Sequence, residues 1–294
     1  MQVVTQRTGL SPHVLRVWER RHQVVSPIRT EGGHRLYSQE DVTRLSLLAE
    51  LTRSGHRIGS LAALTLDQLQ GLRREDVAST PAPLRRGFEE ALQAVETMDR
   101  DGLTACLESL TSRHGAPRVL TEVIEPLMIE VGRCWHRGLL GPAQEHLASL
   151  EVRRLLEDLI RRQPSRPDSP GVVVGTLPGQ HHELGALTAA LTMAMHGWRT
   201  WYLGADLPPE ELARAAERLG ARAVAVSLKL AEAREQALGD VHVLREELDD
   251  EVELLCGGPL ADELRDELSS SSIQVCEGLS ELTDWLSRRS ESSS

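Results

Sequence analysis

The sequence predicts a multidomain α and α/β chain, in which a helical front and a helical bundle precede a doubly wound parallel sheet. Three observations carry this prediction. Over residues 1–60 nine arginines stand against five acids, although the 294-residue chain has a formal net charge of -11. From Leu84 to about Arg162 apolar residues recur at helical spacing, as in Leu103, Leu107 and Leu110, or Val119, Val123 and Leu127. Beyond Pro170 short β-branched runs alternate with helical stretches, the pattern of a parallel sheet covered on both faces.

Composition narrows the possible functions. Aromatic residues make up only 3% of the chain, so alanine and leucine supply most of the core and helices should predominate. No apolar run is long enough to span a bilayer and no signal peptide is recognisable, which predicts a cytoplasmic protein with no membrane partner. Cys106, Cys134, Cys256 and Cys276 lie too far apart for a zinc site or a small disulfide scaffold and read as reduced, buried thiols. The negative net charge argues against general affinity for nucleic acid, yet the arginine excess is confined to one end.

At that end, Val3 to Arg7 reads as a short helix broken at Thr8-Gly9-Leu10. Ser11 as N-cap with Pro12 in the first helical position starts a second helix, which runs through Arg21. Arg16, Arg20 and Arg21 take accessible positions on it, as a helix entering the major groove requires. Gly32-Gly33 then permits a tight two-stranded turn, with Arg29, His34, Arg35 and Tyr37 placed to reach phosphates. Ser38, followed three residues later by Asp41, caps a third helix over about Gln39 to Arg53. Trp18 reads as core.

Leu15-Arg16-Val17-Trp18-Glu19-Arg20-Arg21 followed by Gly32-Gly33-His34-Arg35-Leu36-Tyr37-Ser38 resembles the winged helix-turn-helix of MerR-type transcription regulators. The resemblance covers roughly the first 70 residues and implies promoter DNA as a partner. It assigns Arg16, Arg20, Arg21, His34, Arg35 and Tyr37 to DNA. The chain starts inside the first helix without the family's usual short lead-in, and His22-Gln23 stands where the family more typically has Tyr-Gly.

After Leu72 the chain turns charged, and Ser79-Thr80-Pro81-Ala82-Pro83 reads as a linker. Breaks at His114 to Pro117 and at Gly138 to Pro142 divide the following stretch into about four helices, a small bundle. Trp135-His136 ends one helix and Glu145-His146 opens the next, so a short turn can bring both pairs to one place. A second, proline-rich linker follows at Gln163 to Pro170.

The predicted strands are Val172–Thr176, Arg199–Tyr202, Ala223–Leu228, Glu253–Leu255 and Ile273–Cys276, flavodoxin-like in outline. Between the first strand and the helix over Ala186 to His196 lies Gly179-Gln180-His181-His182-Glu183-Leu184-Gly185. A histidine there stands at the carboxyl end of the sheet, where open α/β folds place their ligands. Gly257-Gly258 after the fourth strand lets a large ligand approach the backbone at the same edge. No dinucleotide fingerprint of three spaced glycines follows the first strand, which argues against a nicotinamide enzyme.

His182, Glu183, Leu184 and Gly185 resemble the histidine-x-x-glycine motif of the cobalamin-binding module, in which the histidine is the lower cobalt ligand. Trp135, nine intervening residues, then Glu145-His146 resembles the helical cap of the light-sensing CarH/LitR-type regulators, which also carry a MerR-type front. Together the resemblances span 1–75 as DNA-binding domain, 84–162 as helical cap and 171–290 as cobalamin-binding domain. They imply adenosylcobalamin as cofactor, with Trp135 against the adenosyl group and Glu145 and His146 on its ribose. His182 is the lower cobalt ligand by this resemblance, and His136 the upper ligand after light. Gln180 occupies the place of the family's acidic partner to the histidine and offers its carbonyl to the imidazole N–H without a negative charge. Ser227 matches the module's sheet-loop serine, with Lys229 in place of a small apolar residue two positions on. His181 is a second imidazole, at a spacing to Gly185 that does not match the motif.

The expected function is that of a light-responsive transcriptional repressor, not an enzyme. The resemblance implies a homotetramer on promoter DNA in the dark that disperses into smaller species when light cleaves the cobalt–carbon bond. Two rivals are a MerR-type regulator that does without cobalamin or senses it without light, and a corrinoid methyltransferase module.

Overall fold

In the computed structural model, residues 4, 8, 10, 12–29, 35–53, 56, 58–79, 81–166, 168–229, 234–269, 272–276 and 278–291 are described. The chain forms two compact units, Met1–Ala148 and Ser149–Ser294.

The first unit starts with α1 (Pro12–Val17), which a π-helical turn, Trp18–His22, carries one turn further. Strands β1 (Ile28–Arg29) and β2 (Arg35–Leu36) pair antiparallel as a small wing. α2 (Gln39–Arg53) follows, with the expected bounds and the expected cap: Ser38 Oγ accepts from the Asp41 amide at 3.0 Å, and Asp41 Oδ2 accepts from the Ser38 amide at 2.8 Å. α3 (Ile58–Leu61) and α4 (Leu66–Ser79) complete this part, around a core of Leu15, Trp18, Leu45, Leu48, Leu51, Leu61 and Leu69. Trp18 is core, as expected. The short first helix, the Ser11 cap and the Gly32-Gly33-His34 turn lie wholly or largely outside the described residues.

The linker expected at Ser79 to Pro83 is shorter than its composition suggests. α4 runs through Ser79, and Pro81 is already the N-cap of α5 (Ala82–Glu96), where proline's missing amide costs nothing. α6 (Arg100–His114) is capped by Asp99, whose Oδ1 accepts from the Gly102 amide at 2.9 Å. α7 (Ala116–Val119), a π-helical turn (Leu120–Ile124) and α8 (Glu125–His136) form one nearly continuous rod. α9 (Pro142–Arg162) gives its first turns to the first unit and the remainder to the second.

The second unit is the predicted sheet. β3 (Gly171–Gly175), β4 (Arg199–Tyr202), β5 (Ala223–Ser227), β6 (Glu253–Gly257) and β7 (Gln274–Cys276) are all parallel, in the order β4-β3-β5-β6-β7. Alternate residues enter opposite cores, as the pleat demands. Val172 and Val174 meet α10 (Leu184–Met195) and α15 (Leu279–Glu291) on one face. Val173 faces α11 (Pro209–Leu219) and α12 (Arg234–Glu247) on the other. Two short helices, α13 (Pro259–Glu263) and α14 (Arg265–Ser269), fill the crossover to β7. The strand order reverses between β3 and β5, and a doubly wound sheet opens a crevice at the carboxyl ends of those two strands.

Candidate cobalamin and DNA sites

His182 lies on the loop that leaves β3, so the topology puts it at that crevice. The loop is anchored from below. Thr176 is fully buried; its hydroxyl donates to the Gln180 carbonyl and accepts from the Asp206 amide at 3.0 Å. Asp206 Oδ1 in turn accepts from the Gly179 amide at 2.8 Å, where the chain turns with φ 74°. The anchored loop leaves both His181 and His182 exposed.

Across the crevice stands the end of β5. Ser227 is 8% exposed, and a Cβ added to Gly185 would lie 2.7 Å from its Oγ, so the start of α10 packs against β5 with no room for a side chain. At the next strand, Gly258 has φ 95°, and a Cβ there would meet the Leu228 carbonyl at 2.5 Å. Gly257 is in register with Ser227. The edge therefore offers exposed imidazoles, with His182 at the motif's spacing to Gly185, beside a floor of backbone and small residues, which suits a broad planar group. Among the described residues no cluster of three or more His, Cys, Asp or Glu could hold a metal ion.

Gln180 has a partner that the sequence did not suggest. It is 1% exposed, and its Oε1 accepts from the Lys229 amide at 2.8 Å. The carbonyl expected to face the imidazole thus ties the β3 loop to the β5 loop across the crevice. Lys229 itself is exposed there and is the only lysine of the chain.

In the first unit, Trp135 and His136 end α8, and a tight turn follows: the Gly138 amide donates to Trp135 O at 2.9 Å, and the Leu139 amide to Cys134 O at 2.9 Å. Trp135 is 45% exposed, high for so large an apolar side chain, and its ring meets that of His136 edge-on at 4.8 Å. His136 Nδ1 lies 2.7 Å from the Gly132 carbonyl. A carbonyl only accepts, so Nδ1 carries a proton, and in the neutral ring the lone pair then stands on Nε2, the tautomer a metal ligand needs. Glu145 and His146 sit in the first turn of α9, with His146 Nε2 at 3.5 Å from Glu145 Oε2.

The front of the chain exposes Arg16, Arg20 and Arg21 on its second helical segment, with Arg16 Nε donating to Pro12 O at 3.0 Å. Arg35 and Tyr37 are placed differently from a simple phosphate contact. Arg35 Nε donates to Glu19 Oε2 at 2.8 Å, and the Tyr37 hydroxyl donates to Glu19 Oε1. Burial, then that hydrogen bond, raises the Tyr37 phenol above its ordinary range. Glu19, which sequence reasoning left unassigned, thus braces the wing against the helix; its position between Trp18 and Arg20 gave no such signal.

The comparisons agree with this organisation. Residues 1–67 match the MerR HTH family regulatory protein model, and residues 88–159 and 170–283 each match a B12 binding domain model. The chain is 32% identical over 220 residues to the HTH-type transcriptional repressor CarH of Myxococcus xanthus, covering 73% of each chain. It is 28% identical over 237 residues to the HTH-type transcriptional repressor CarA of the same organism, covering 80% of this chain and 78% of that one. A monomethylamine corrinoid protein from Methanosarcina barkeri shares the fold with a TM-score of 0.54 at 16% identity, over 68% of this chain and 96% of that one. No helix among the described residues is long and apolar enough to cross a membrane. With a MerR-type front, two B12-binding segments in this order and this likeness to CarH, the chain belongs to the CarH/CarA-type family of cobalamin-binding MerR transcription regulators.

Proposed function

We propose that this chain is a cytoplasmic, light-responsive transcriptional repressor that uses adenosylcobalamin. Residues 1–75 bind promoter DNA, 84–162 form the cofactor cap and 171–290 bind the corrin. The observation that carries the reading is an exposed His182 at the β3/β5 crevice, beside Gly185 pressed onto Ser227 and the Gly257-Gly258 edge. His182 would hold the cobalt through its imidazole, and a neutral imidazole suits that metal. Trp135 offers an exposed apolar face to the adenosyl group, and Glu145 and His146 offer hydrogen bonds to its ribose. The chemistry the cofactor supplies is a cobalt–carbon bond that visible light cleaves. His136, whose Nδ1 is engaged by the Gly132 carbonyl, would hold the cobalt through Nε2 after light.

The response to light is a change in valency. One winged unit makes few phosphate contacts and binds weakly, whereas a homotetramer binds several half-sites together. The test is size-exclusion chromatography with an absorbance spectrum across the peak, after incubation with adenosylcobalamin in darkness and again after green light. A coloured dark oligomer that falls to a smaller coloured species supports the proposal, and His182→Ala should abolish the light-dependent change. A second reading, regulation without cobalamin, is favoured by Gln180 itself, an uncharged residue in the place of the family's acidic partner whose carbonyl also accepts from the Lys229 amide. A colourless peak of unchanged size would establish that reading instead.

A further inference from the structure

Glu183 follows the candidate cobalt ligand directly, and nothing above assigns it a role. It is the N-cap of α10, yet its side chain makes no cap hydrogen bond to that helix. Instead both carboxylate oxygens reach other elements. Oε2 accepts the Tyr202 hydroxyl at 2.5 Å, from the end of edge strand β4. Oε1 pairs with Arg153 Nη1 at 2.7 Å, and the same guanidinium donates through Nε to Glu157 at 2.8 Å. Arg153 and Glu157 lie on the part of α9 that belongs to the second unit. Ile160, further along that helix, packs on the same core as Tyr202.

The side chain of Glu183 is 19% exposed and that of Arg153 is 41% exposed, so the carboxylate end of this ion pair is the more sheltered from solvent. The Tyr202 phenol is raised well above its ordinary range, by burial first and then by the bond to Glu183, so it stays a donor across the whole physiological range. The Arg153 guanidinium is also raised, chiefly by its hydrogen bond to Glu157, and stays charged. Both partners therefore hold the Glu183 side chain in a fixed direction.

We infer that Glu183 is the positioning residue for His182, fixing the backbone from which the imidazole projects by tying it to β4 and to α9. Adjacent Cα atoms are held about 3.8 Å apart by a planar peptide, so a restraint on Glu183 is a restraint on His182. The inference rests on the proposed role of His182 as cobalt ligand, and its test has one arm that does not.

That arm uses the full chain without cofactor. Amide hydrogen exchange over residues 181–187 should rise at least about tenfold in Glu183→Ala while β5 keeps its protection, since local opening follows the loss of restraining contacts. Exchange equal to wild type overturns the inference. In the second arm, adenosylcobalamin is added in darkness. Glu183→Ala should bind it about 10- to 100-fold more weakly, with an absorption spectrum shifted toward cobalt lacking imidazole, the size of loss typical when the support of a ligand is removed. Glu183→Gln keeps an acceptor for Tyr202 and should recover part of the imidazole-bound spectrum. A wild-type spectrum and affinity in Glu183→Ala overturns the inference. Wild-type protein that stays colourless overturns the cofactor reading instead, and the exchange arm then decides the tie. If Glu183→Ala does not fold, Tyr202→Phe and Arg153→Ala each remove one arm of the tie and carry both comparisons.

Discussion

Gly185 shows how packing can exclude a single side chain at a position that a motif also marks. The motif reading requires glycine there, and the structure supplies the reason: a Cβ would stand 2.7 Å from Ser227 Oγ. Gly185→Ala should force α10 away from β5 and destabilise the second unit by about 1–3 kcal/mol, the usual range for overpacking. Denaturant unfolding measures this, and an unchanged midpoint would show that Ser227 can rotate aside. Gln23 is the converse case. It stands where the family more typically has glycine and holds a left-handed φ of 51°, with its amide bonded to Glu19 O at 3.1 Å. Relief of that conformation in Gln23→Gly should stabilise the front of the chain by about 0.5–1 kcal/mol after the entropy cost of glycine. A lower thermal midpoint in the variant would contradict this.

Among the elements, strand β7 carries the clearest pH signature. Cys276 on β7 is buried against α15, and burial first, then the Glu281 carboxylate, raises its thiol to about 11. Cys256 on β6 is deeper, and its thiol is raised further by burial. A thiol ionises earlier in the unfolded chain than in these strands. Stability is therefore full below the ordinary thiol range and is lost as pH rises toward about 11. At about 1.4 kcal/mol per pH unit, Cys276 accounts for a loss of no more than about 2–3 kcal/mol. Denaturant midpoints at about pH 8 and about pH 11 should converge for Cys276→Ala more than for wild type. Equal losses in both proteins would remove Cys276 as the cause. The sequence reading of reduced, buried thiols agrees with the structure at Cys134, Cys256 and Cys276, which are free and buried, whereas Cys106 is free but only half-buried.

For the molecule as a whole, DNA binding depends on charge held at one end of an acidic chain. Arg20 and Arg21 are exposed, whereas Arg35 is already paired with Glu19. If Arg20 meets a phosphate, Arg20→Ala should weaken binding evenly across sequences and lower the slope of log affinity against log salt by about one. Arg35→Ala should instead loosen the wing and raise the exposure of Tyr37 without a matching change in that slope. Filter-binding or fluorescence titrations at several salt concentrations separate the two. An unchanged slope for Arg20→Ala would remove it from the phosphate contacts.

Much of this molecule is written locally. Proline and serine at helix starts, β-branched runs of five residues and paired glycines act through neighbours a few positions away, so the strands, the bounds of α2 and the motif around His182 were legible in the sequence. The reversal of strand order was legible as well, because alternating strands and helices have few ways to wind. What sequence could not supply were partners far apart along the chain. Glu19 with Arg35 and Tyr37, Gln180 with the Lys229 amide, and Glu183 with Tyr202 and Arg153 each join segments 16 to 49 residues apart. Charged and amide side chains carry no periodic signal, so which of them meet is decided only when the sheet and helices bring their ends together.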